Sequence, residues 1–134
     1  MSILGVDSFE RAEAQGHTFK GNPMQSLENI DISEALVKLG DGALLLDVRE
    51  VDEFEAGHAP QAKNIPLSEV PDHIEDFNKD QVIVCVCRSG GRSARAGQFL
   101  LEQGFQVFNL EGGMLNWDAE DHEIVSDDES PYIK

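Results

Sequence analysis

Two kinds of apolar pattern alternate along the chain, and the alternation predicts an α/β fold. Continuous apolar runs, typical of parallel strands buried on both faces, end at Val48 and at Cys87. Segments with helical spacing follow each strand. The predicted strands are 29–32, 43–48, 62–65, 82–87 and 105–110, and the predicted helices are 33–40 (with Ser33 as N-cap), 50–56, 67–77, 93–103 and 112–117. We therefore expect a mostly parallel five-stranded sheet with helices on both faces.

Three parts can be distinguished along the chain. Residues 1–28 favour only a short helix at 6–14, which Gly16, Gly21 and Pro23 would end, and we expect an N-terminal extension outside the core. Residues 29–125 hold all the predicted elements and form one domain. Residues 126–134 are predicted to be an acidic C-terminal tail. The acidic segment that leads into it, 118–129, has no Lys or Arg, so we expect a solvated end that need not be ordered.

Charge and hydropathy narrow the classes of partner. The 134-residue chain carries a formal net charge of −16, which argues against nucleic-acid binding because that function needs a basic surface. No apolar run approaches the roughly 18 residues of a membrane-spanning helix, and the first residues lack the basic and apolar segments of a secretory signal. We therefore expect a cytoplasmic protein whose thiols stay reduced, with no membrane and no nucleic acid among its partners.

The loop after the fourth predicted strand contains the strongest candidate for chemistry. Cys87 ends that strand close to the start of the next helix, and a thiol pKa falls at a helix N-terminus or beside arginines. Three of the five arginines in the chain lie within eight positions of this cysteine. We predict that Cys87 is a catalytic nucleophile and that the loop binds an anionic substrate through Arg88, Ser89, Gly90, Gly91, Arg92 and Ser93.

The small residues of this loop are expected to shape it. Gly90 and Gly91 can take positive φ, so that successive N–H groups curl around an anion, and the two serines add hydroxyl donors. Ser93 is also a candidate helix cap. The alternative is a buried strand-end cysteine with solvated arginines, but a plain strand-to-helix turn does not need glycines and arginines at this spacing. On an acidic surface the arginines must attract a small dianion locally, in a salt-dependent manner.

Three further residues lie near this loop, and two of them, Asp47 and Arg49, are expected to support it. Cys85 and Cys87 lie on one face of a strand with Cα atoms ~6.6–6.8 Å apart, at the far edge of disulfide geometry, so we interpret Cys85 as a small buried residue. Asp47 interrupts a buried strand and needs a partner, either Arg49 or the amides of a neighbouring loop. Asp47, Arg49 and Cys87 all follow or end strands, where ligands of parallel sheets bind.

The segment that begins at Cys87 resembles the six-residue active-site loop of single-domain rhodanese-like sulfurtransferases, which also leads into a helix. Further motifs of that family recur in order over about residues 29–125: Leu45-Leu46-Asp47-Val48-Arg49, Glu53-Phe54, Gly57-His58, Asn64-Ile65-Pro66-Leu67, Leu110-Glu111-Gly112-Gly113-Met114 and Trp117. The resemblance implies a rhodanese-like fold. It also implies that Asp47 and Arg49 order the loops beside the active site.

The resemblance further implies a reaction. The Cys87 thiolate would take a sulfane sulfur from thiosulfate or a similar donor, release sulfite and carry the sulfur as a persulfide. A thiophilic acceptor, such as cyanide, a cellular thiol or a protein, would then remove it. No metal or other cofactor is expected, and the sequence contains neither a Cys-x-x-Cys pair nor a Gly-x-x-x-x-Gly-Lys loop.

Two other functions use a similar cysteine. Phosphatases and arsenate reductases of this fold have one more residue between the cysteine and the arginine, which makes room for a tetrahedral anion. Here four residues, Arg88 to Gly91, lie between Cys87 and Arg92, which favours sulfur over phosphate. A persulfide carrier or regulatory module that delivers sulfur to a protein partner would keep the same cysteine, and this interpretation stays open.

Overall fold

The protein forms five strands, four α-helices and one 3-10 helix over the part described by the structure, a computed structural model that covers residues 26–127 and 130–134. The strands are β1 (Glu28–Ile30), β2 (Leu44–Asp47), β3 (Ala62–Asn64), β4 (Ile83–Val86) and β5 (Val107–Leu110). The α-helices are α1 (Ile32–Gly40), α2 (Val51–Ala56), α3 (Gly91–Glu102) and α4 (Gly113–Ala119), and the 3-10 helix spans Leu67–Asp76. The extension predicted for 1–28 lies outside the described residues up to residue 25.

The five strands form one sheet in the order β1-β5-β4-β2-β3, and every strand pair is parallel. The predicted five-stranded α/β fold is confirmed, and the sheet is wholly rather than mostly parallel. The strand that leads to Cys87, β4, occupies the centre of the sheet. Central strands of a parallel sheet are paired on both sides, so the start of the Cys87 loop has a fixed position.

Alternating side chains of the strands feed two hydrophobic cores, one on each face of the sheet. Leu46 and Cys85 face the core that α3 and the 3-10 helix cover, whereas Leu45 and Val84 face the core that contains Met114 of α4. This alternation follows from the two-residue period of a strand. Helices on both faces of the sheet, as predicted, exclude water from both cores.

Several boundaries differ from those predicted, and each difference has a local cause. Asp31, not Ser33, caps α1, because the Asp31 carboxylate accepts the Glu34 N–H at 2.9 Å and the Glu34 side chain accepts the Asp31 N–H at 3.2 Å. The segment after Pro66 forms a 3-10 helix with Pro71 inside it. Since proline cannot donate the hydrogen bond that a continuous α-helix requires, the tighter helix is the reasonable outcome.

The acidic segment predicted as a solvated end is ordered over residues 118–127, although most of its side chains are exposed. Trp117 Nε1 donates to the Glu123 carbonyl at 2.8 Å, and Val125 exchanges two backbone hydrogen bonds with His58. Further on, the Tyr132 N–H donates to the Ala56 carbonyl at 3.0 Å. Apolar side chains at 124 and 133 pack on the second core, which explains why an acidic segment stays on the surface of the domain. No helix in the described ranges is long and apolar enough to cross a membrane.

Candidate active site

Cys87 lies at the carboxyl end of β4, and the chain turns there into α3. Gly90 adopts the left-handed conformation, with φ of 117°, and is the N-cap of the helix. Gly91 is the first helical residue and does not take positive φ, so the prediction that both glycines would do so is wrong for Gly91. The helix begins at Gly91, two residues before the predicted start at Ser93. The turn from the strand into the helix therefore needs only one left-handed residue, Gly90.

Three hydrogen-bond donors converge on the sulfur of Cys87. The Gly90 N–H lies 3.1 Å from Sγ, and the N–H and hydroxyl of Ser93 each lie 3.3 Å from it. Burial of this residue, which is 1% exposed, would by itself raise the pKa of the thiol. The hydrogen bonds from Ser93, Gly90 and Ser89 outweigh burial and lower the pKa of Cys87 below its ordinary value. The resting site therefore favours a thiolate more than an ordinary cysteine does.

The sulfur of Cys87 takes the place of an N-capping side chain for α3. The first N–H groups of a helix have no carbonyl partner within it, and α3 has neither a side-chain cap nor an acidic residue in its first turn. The Ser93 N–H is one of these groups, and it points at the sulfur. A negative charge on Sγ is thus stabilised by the helix end that it caps. The N–H groups of Gly91 and Arg92 belong to the same first turn.

Cys85 has the properties of the small buried residue that was predicted. Its side chain is fully buried in the core between the sheet and α3. Burial, with a smaller contribution from the charge of Cys87, raises the pKa of Cys85 to about 12. The two cysteines are both free thiols. They therefore differ in chemistry, because the pKa of Cys87 is lowered and that of Cys85 is raised.

The two predicted substrate-binding arginines have different surroundings. Arg92 is held by a bidentate ion pair with Glu53 of α2, with N–O distances of 2.7 and 2.9 Å. This pairing lowers the pKa of the Glu53 carboxyl. Arg88 is exposed, and its Nε donates to the Lys134 carbonyl at 3.1 Å. Glu53 was quoted as part of a motif but was not predicted as a site residue, and its place in a helix start gave no sign of a partner 39 positions away.

Asp47 and Arg49 form a buried pair beside α2, and among the described residues no hydrogen bond joins either side chain to Cys87. Arg49 Nη2 donates to the Asp47 carboxylate at 2.8 Å and to the Gly57 carbonyl at 2.9 Å, and both charged side chains have no exposed surface. Arg49 Nη1 also donates to the Glu53 carbonyl, at 3.3 Å. The predicted pairing of Asp47 with Arg49 is therefore present. It fixes the helix whose Glu53 side chain holds Arg92.

Two glycines at the start of α4, the N-cap Gly112 and the first helical residue Gly113, allow the helix to approach the Cys87 loop. The Met114 N–H donates to the Cys87 carbonyl at 2.8 Å, and the Leu115 N–H donates to the Arg88 carbonyl at 3.0 Å. A Cβ atom on Gly113 would collide with both carbonyls, so a side chain at this position would push α4 away. The N-terminus of α4 thus binds the Cys87 and Arg88 carbonyls, while the N–H of Ser89 remains a donor that favours the thiolate.

Asn109 of β5 is a site residue that the sequence analysis missed. It is 4% exposed, and its Oδ1 lies 2.6 Å from the Ser93 hydroxyl that also contacts Cys87. The sequence does contain a sign of this role, because Asn109 is a polar residue in an otherwise apolar strand. Such a side chain is expected to be buried and to need a hydrogen-bond partner. Its contacts join β5 to the loop.

Comparison with known proteins agrees with this geometry. The sequence model of the Rhodanese-like domain matches residues 31–120. The chain is 45% identical over 76 residues to "Putative sulfurtransferase YtwF" of Bacillus subtilis, covering 57% of this chain and 74% of that protein. It is 34% identical over 95 residues to a sulfurtransferase of Allochromatium vinosum, covering 70% and 88%.

Two further matches are to a protein named as a sulfur carrier and to a solved structure. The chain is 40% identical over 74 residues to "Putative sulfur carrier protein YrkF" of Bacillus subtilis, covering 54% of this chain but only 40% of that longer protein. The crystal structure of a rhodanese-related protein from Thermoplasma volcanium superimposes with a TM-score of 0.68 at 30% identity, covering 73% of this chain and 97% of the other. The family match spans strands β2 to β5, the Cys87 loop and the α4 contacts described above, and the chain belongs to the Rhodanese-like domain family.

Proposed function

We propose that this protein is a sulfurtransferase in which Cys87 carries a sulfane sulfur as a persulfide. The observation that carries the proposal is the convergence of two N–H groups and one hydroxyl on Sγ, at the N-terminus of α3. These donors stabilise a thiolate on a residue that is otherwise buried. Two relatives are named as sulfurtransferases, which supports the same class of reaction.

In the proposed reaction, thiosulfate is the donor. The Cys87 thiolate attacks the outer sulfur of thiosulfate, a new S–S bond forms, and the S–S bond of thiosulfate breaks with its electron pair leaving on sulfite. The negative charge then resides on the outer sulfur of the persulfide. A nucleophilic acceptor attacks that sulfur, and the electron pair of the broken bond returns to Cys87 as a thiolate.

The loop residues have separate roles in this proposal. The N–H groups of Gly91 and Arg92, which belong to the first turn of α3 together with Ser93, hold the anionic part of the donor and the persulfide. Arg88 is exposed and attracts the dianion, while Arg92, whose charge is shared with Glu53, contributes less to attraction. Ser89 adds an N–H that favours the thiolate.

The position of Arg92 also bears on the phosphatase and arsenate reductase alternatives. Those reactions need the arginine guanidinium to bind the tetrahedral anion. In this chain Glu53 occupies two of its N–H groups in a bidentate pair. Together with the short loop, this pairing supports sulfur rather than phosphate as the transferred group.

A persulfide carrier is the second candidate, because one relative is named as a sulfur carrier. The carrier and the enzyme share the Cys87 persulfide and differ in the acceptor. The enzyme would pass sulfur quickly to a small nucleophile such as cyanide, whereas the carrier would hold the persulfide until a protein acceptor removes it.

The test is thiocyanate formation from thiosulfate and cyanide, measured for the natural protein and for Cys87→Ser. We expect multiple turnovers with the natural protein and none with the variant. Circular dichroism should show the same fold for both, because the substitution changes one atom. Full activity in Cys87→Ser would contradict the proposal. Persulfide formation with very slow thiocyanate release would favour the carrier.

A further inference from the structure

The Ser93 hydroxyl lies within hydrogen-bond distance of three acceptors. Its oxygen is 2.6 Å from Asn109 Oδ1, 3.2 Å from the Gly90 carbonyl and 3.3 Å from Cys87 Sγ. A hydroxyl has one proton and donates it to one acceptor at a time. The shortest of the three distances is to Asn109, so this side chain competes with the sulfur for the Ser93 proton.

The orientation of the Asn109 amide is fixed by its other end. Nδ2 donates to Asn29 Oδ1 at 2.9 Å and lies 3.4 Å from the Gly90 carbonyl. A reversed amide would bring its oxygen against that carbonyl, with two acceptors facing each other. Oδ1 therefore faces Ser93, and at 4% exposure of the residue, water has little access to replace that contact.

The competition has a definite direction. While Cys87 is a neutral thiol, the Ser93 hydroxyl donates its hydrogen bond to Asn109 Oδ1. When Cys87 ionises, the charged sulfur attracts the same hydroxyl proton. If the hydroxyl turns to the sulfur, the buried Asn109 oxygen loses its donor, which is unfavourable. Asn109 thus opposes the stabilisation that Ser93 gives the thiolate. The two N–H donors, from Gly90 and Ser93, are unaffected by this exchange.

We propose that Asn109 is a positioning residue that sets the ionisation of Cys87 by competing with its sulfur for the proton of the Ser93 hydroxyl. The proposal rests on the proposed function only in taking Cys87 to be the nucleophile. In the persulfide the charge lies on the outer sulfur, so the Ser93 hydroxyl again donates its hydrogen bond to Asn109. Asn109 therefore disfavours the resting thiolate relative to the loaded form, which raises the reactivity of that thiolate toward a donor.

The experiment is a double-mutant cycle on the thiol pKa, which needs no sulfur donor. Alkylation of Cys87 by iodoacetamide is followed over pH by peptide mass spectrometry in the natural protein, Asn109→Leu, Ser93→Ala and the double variant. Leucine is similar in size to asparagine and has no polar atoms. The other ionisable residues on elements around Cys87 stay unchanged in all four proteins: Asp47, Arg49, Glu53, Cys85, Arg88, Arg92 and Glu111.

We expect Asn109→Leu to lower the apparent pKa of Cys87 by about 0.5–1 pH unit, because one hydrogen bond no longer competes. Ser93→Ala should raise it. In the Ser93→Ala background, Asn109→Leu should have no effect, since the competition acts only through the hydroxyl. Asn29→Ala removes one of the two acceptors at the other end of Asn109, and the Gly90 carbonyl still faces Nδ2. Oδ1 should therefore keep facing Ser93, so this control variant should leave the pKa of Cys87 unchanged.

Two results would overturn the proposal. An unchanged or raised pKa in Asn109→Leu would show that no competition exists. An equal shift with and without the Ser93 hydroxyl would show that Asn109 acts on the packing of the loop instead. If Asn109→Leu fails to fold, Asn109→Asp provides the opposite test, because a carboxylate competes more strongly for the Ser93 hydroxyl than an amide oxygen does. This variant should raise the pKa of Cys87 more in the natural background than in Ser93→Ala. None of these results depends on sulfur transfer, so failure of the proposed function would be seen separately.

Discussion

At the scale of single residues, burial and hydrogen bonding act on Cys87 in opposite directions. Burial favours the neutral thiol, and donors from Ser93, Gly90 and Ser89 favour the thiolate more strongly. Cys85, two residues earlier on the same strand, has the burial without the donors, and its pKa rises to about 12. The contrast shows that the hydrogen-bond donors of the loop lower the pKa of Cys87, whereas burial alone raises that of Cys85.

The exposed arginine of the loop gives a prediction about substrate attraction. Arg88→Gln should raise the KM for thiosulfate several-fold, because it removes the exposed positive charge nearest to Cys87 in sequence from a protein whose net charge is −16. The effect should be larger at low ionic strength, where charges are less screened.

The matched control for Arg88→Gln is Lys38→Gln. It removes the same charge from the last turn of α1, which leads into the amino end of β2, whereas Cys87 follows the carboxyl end of the parallel strand β4. Steady-state kinetics at two salt concentrations should therefore show a change in KM for the first variant only. An equal rise in KM for the two variants would mean that only the net charge of the protein matters. A rise in KM for Arg88→Gln that is the same at both salt concentrations would exclude long-range attraction.

At the scale of elements, the start of α3 depends on one left-handed residue. Gly90 needs φ of 117°, which a residue with a Cβ rarely adopts, whereas Gly91 is helical and has no atom within 4 Å of an added Cβ. The two adjacent glycines thus have different roles, since only Gly90 requires a conformation that glycine favours.

Gly90→Ala and Gly91→Ala form a matched pair for this interpretation. The first should lower the free energy of unfolding by about 1–2 kcal/mol because of backbone strain. The second should leave it unchanged or raise it by about 0.4–1 kcal/mol, because alanine reduces the entropy of the unfolded chain. Urea denaturation measures both. Similar destabilisation by the two substitutions would contradict the assignment of the helix start to Gly91.

At the scale of the whole molecule, the ionisation of Cys87 is coupled to folding. The native pKa of Cys87 lies below that of an unfolded cysteine, so between the two values the unfolded chain binds more protons and stability rises with pH. This stabilisation is complete above the unfolded pKa, and it is lost as pH falls through the native pKa.

The prediction is a difference between the natural protein and Cys87→Ala. The natural protein should gain free energy of unfolding relative to the variant as pH rises through the native pKa of Cys87 to the unfolded pKa of about 8.5. Urea denaturation across this range would measure the gain. A difference that does not change with pH would show that the native fold does not favour the thiolate. Cys85 is present in both proteins, and burial is the main cause of its raised pKa in each, so its contribution to the difference is small.

Local patterns in the sequence were sufficient for the fold and for part of the site. The runs before Val48 and Cys87 predicted the buried parallel strands, and the loop composition indicated Cys87 together with its donors. The pairing of Arg92 with Glu53 and the contact of Ser93 with Asn109 could not be predicted in this way. Both join residues on separate elements, 39 and 16 positions apart, and such contacts depend on the packing of those elements.

The most direct test of the central claim is the intact mass of the protein after treatment with thiosulfate and removal of excess donor. We predict a gain equal to the mass of one sulfur atom, which cyanide removes and which Cys87→Ser does not show. The Cys85→Ala variant should gain the same mass as the natural protein, because Cys85 is buried and not prepared to ionise. An unchanged mass in the natural protein, or a gain that persists in Cys87→Ser, would contradict the account.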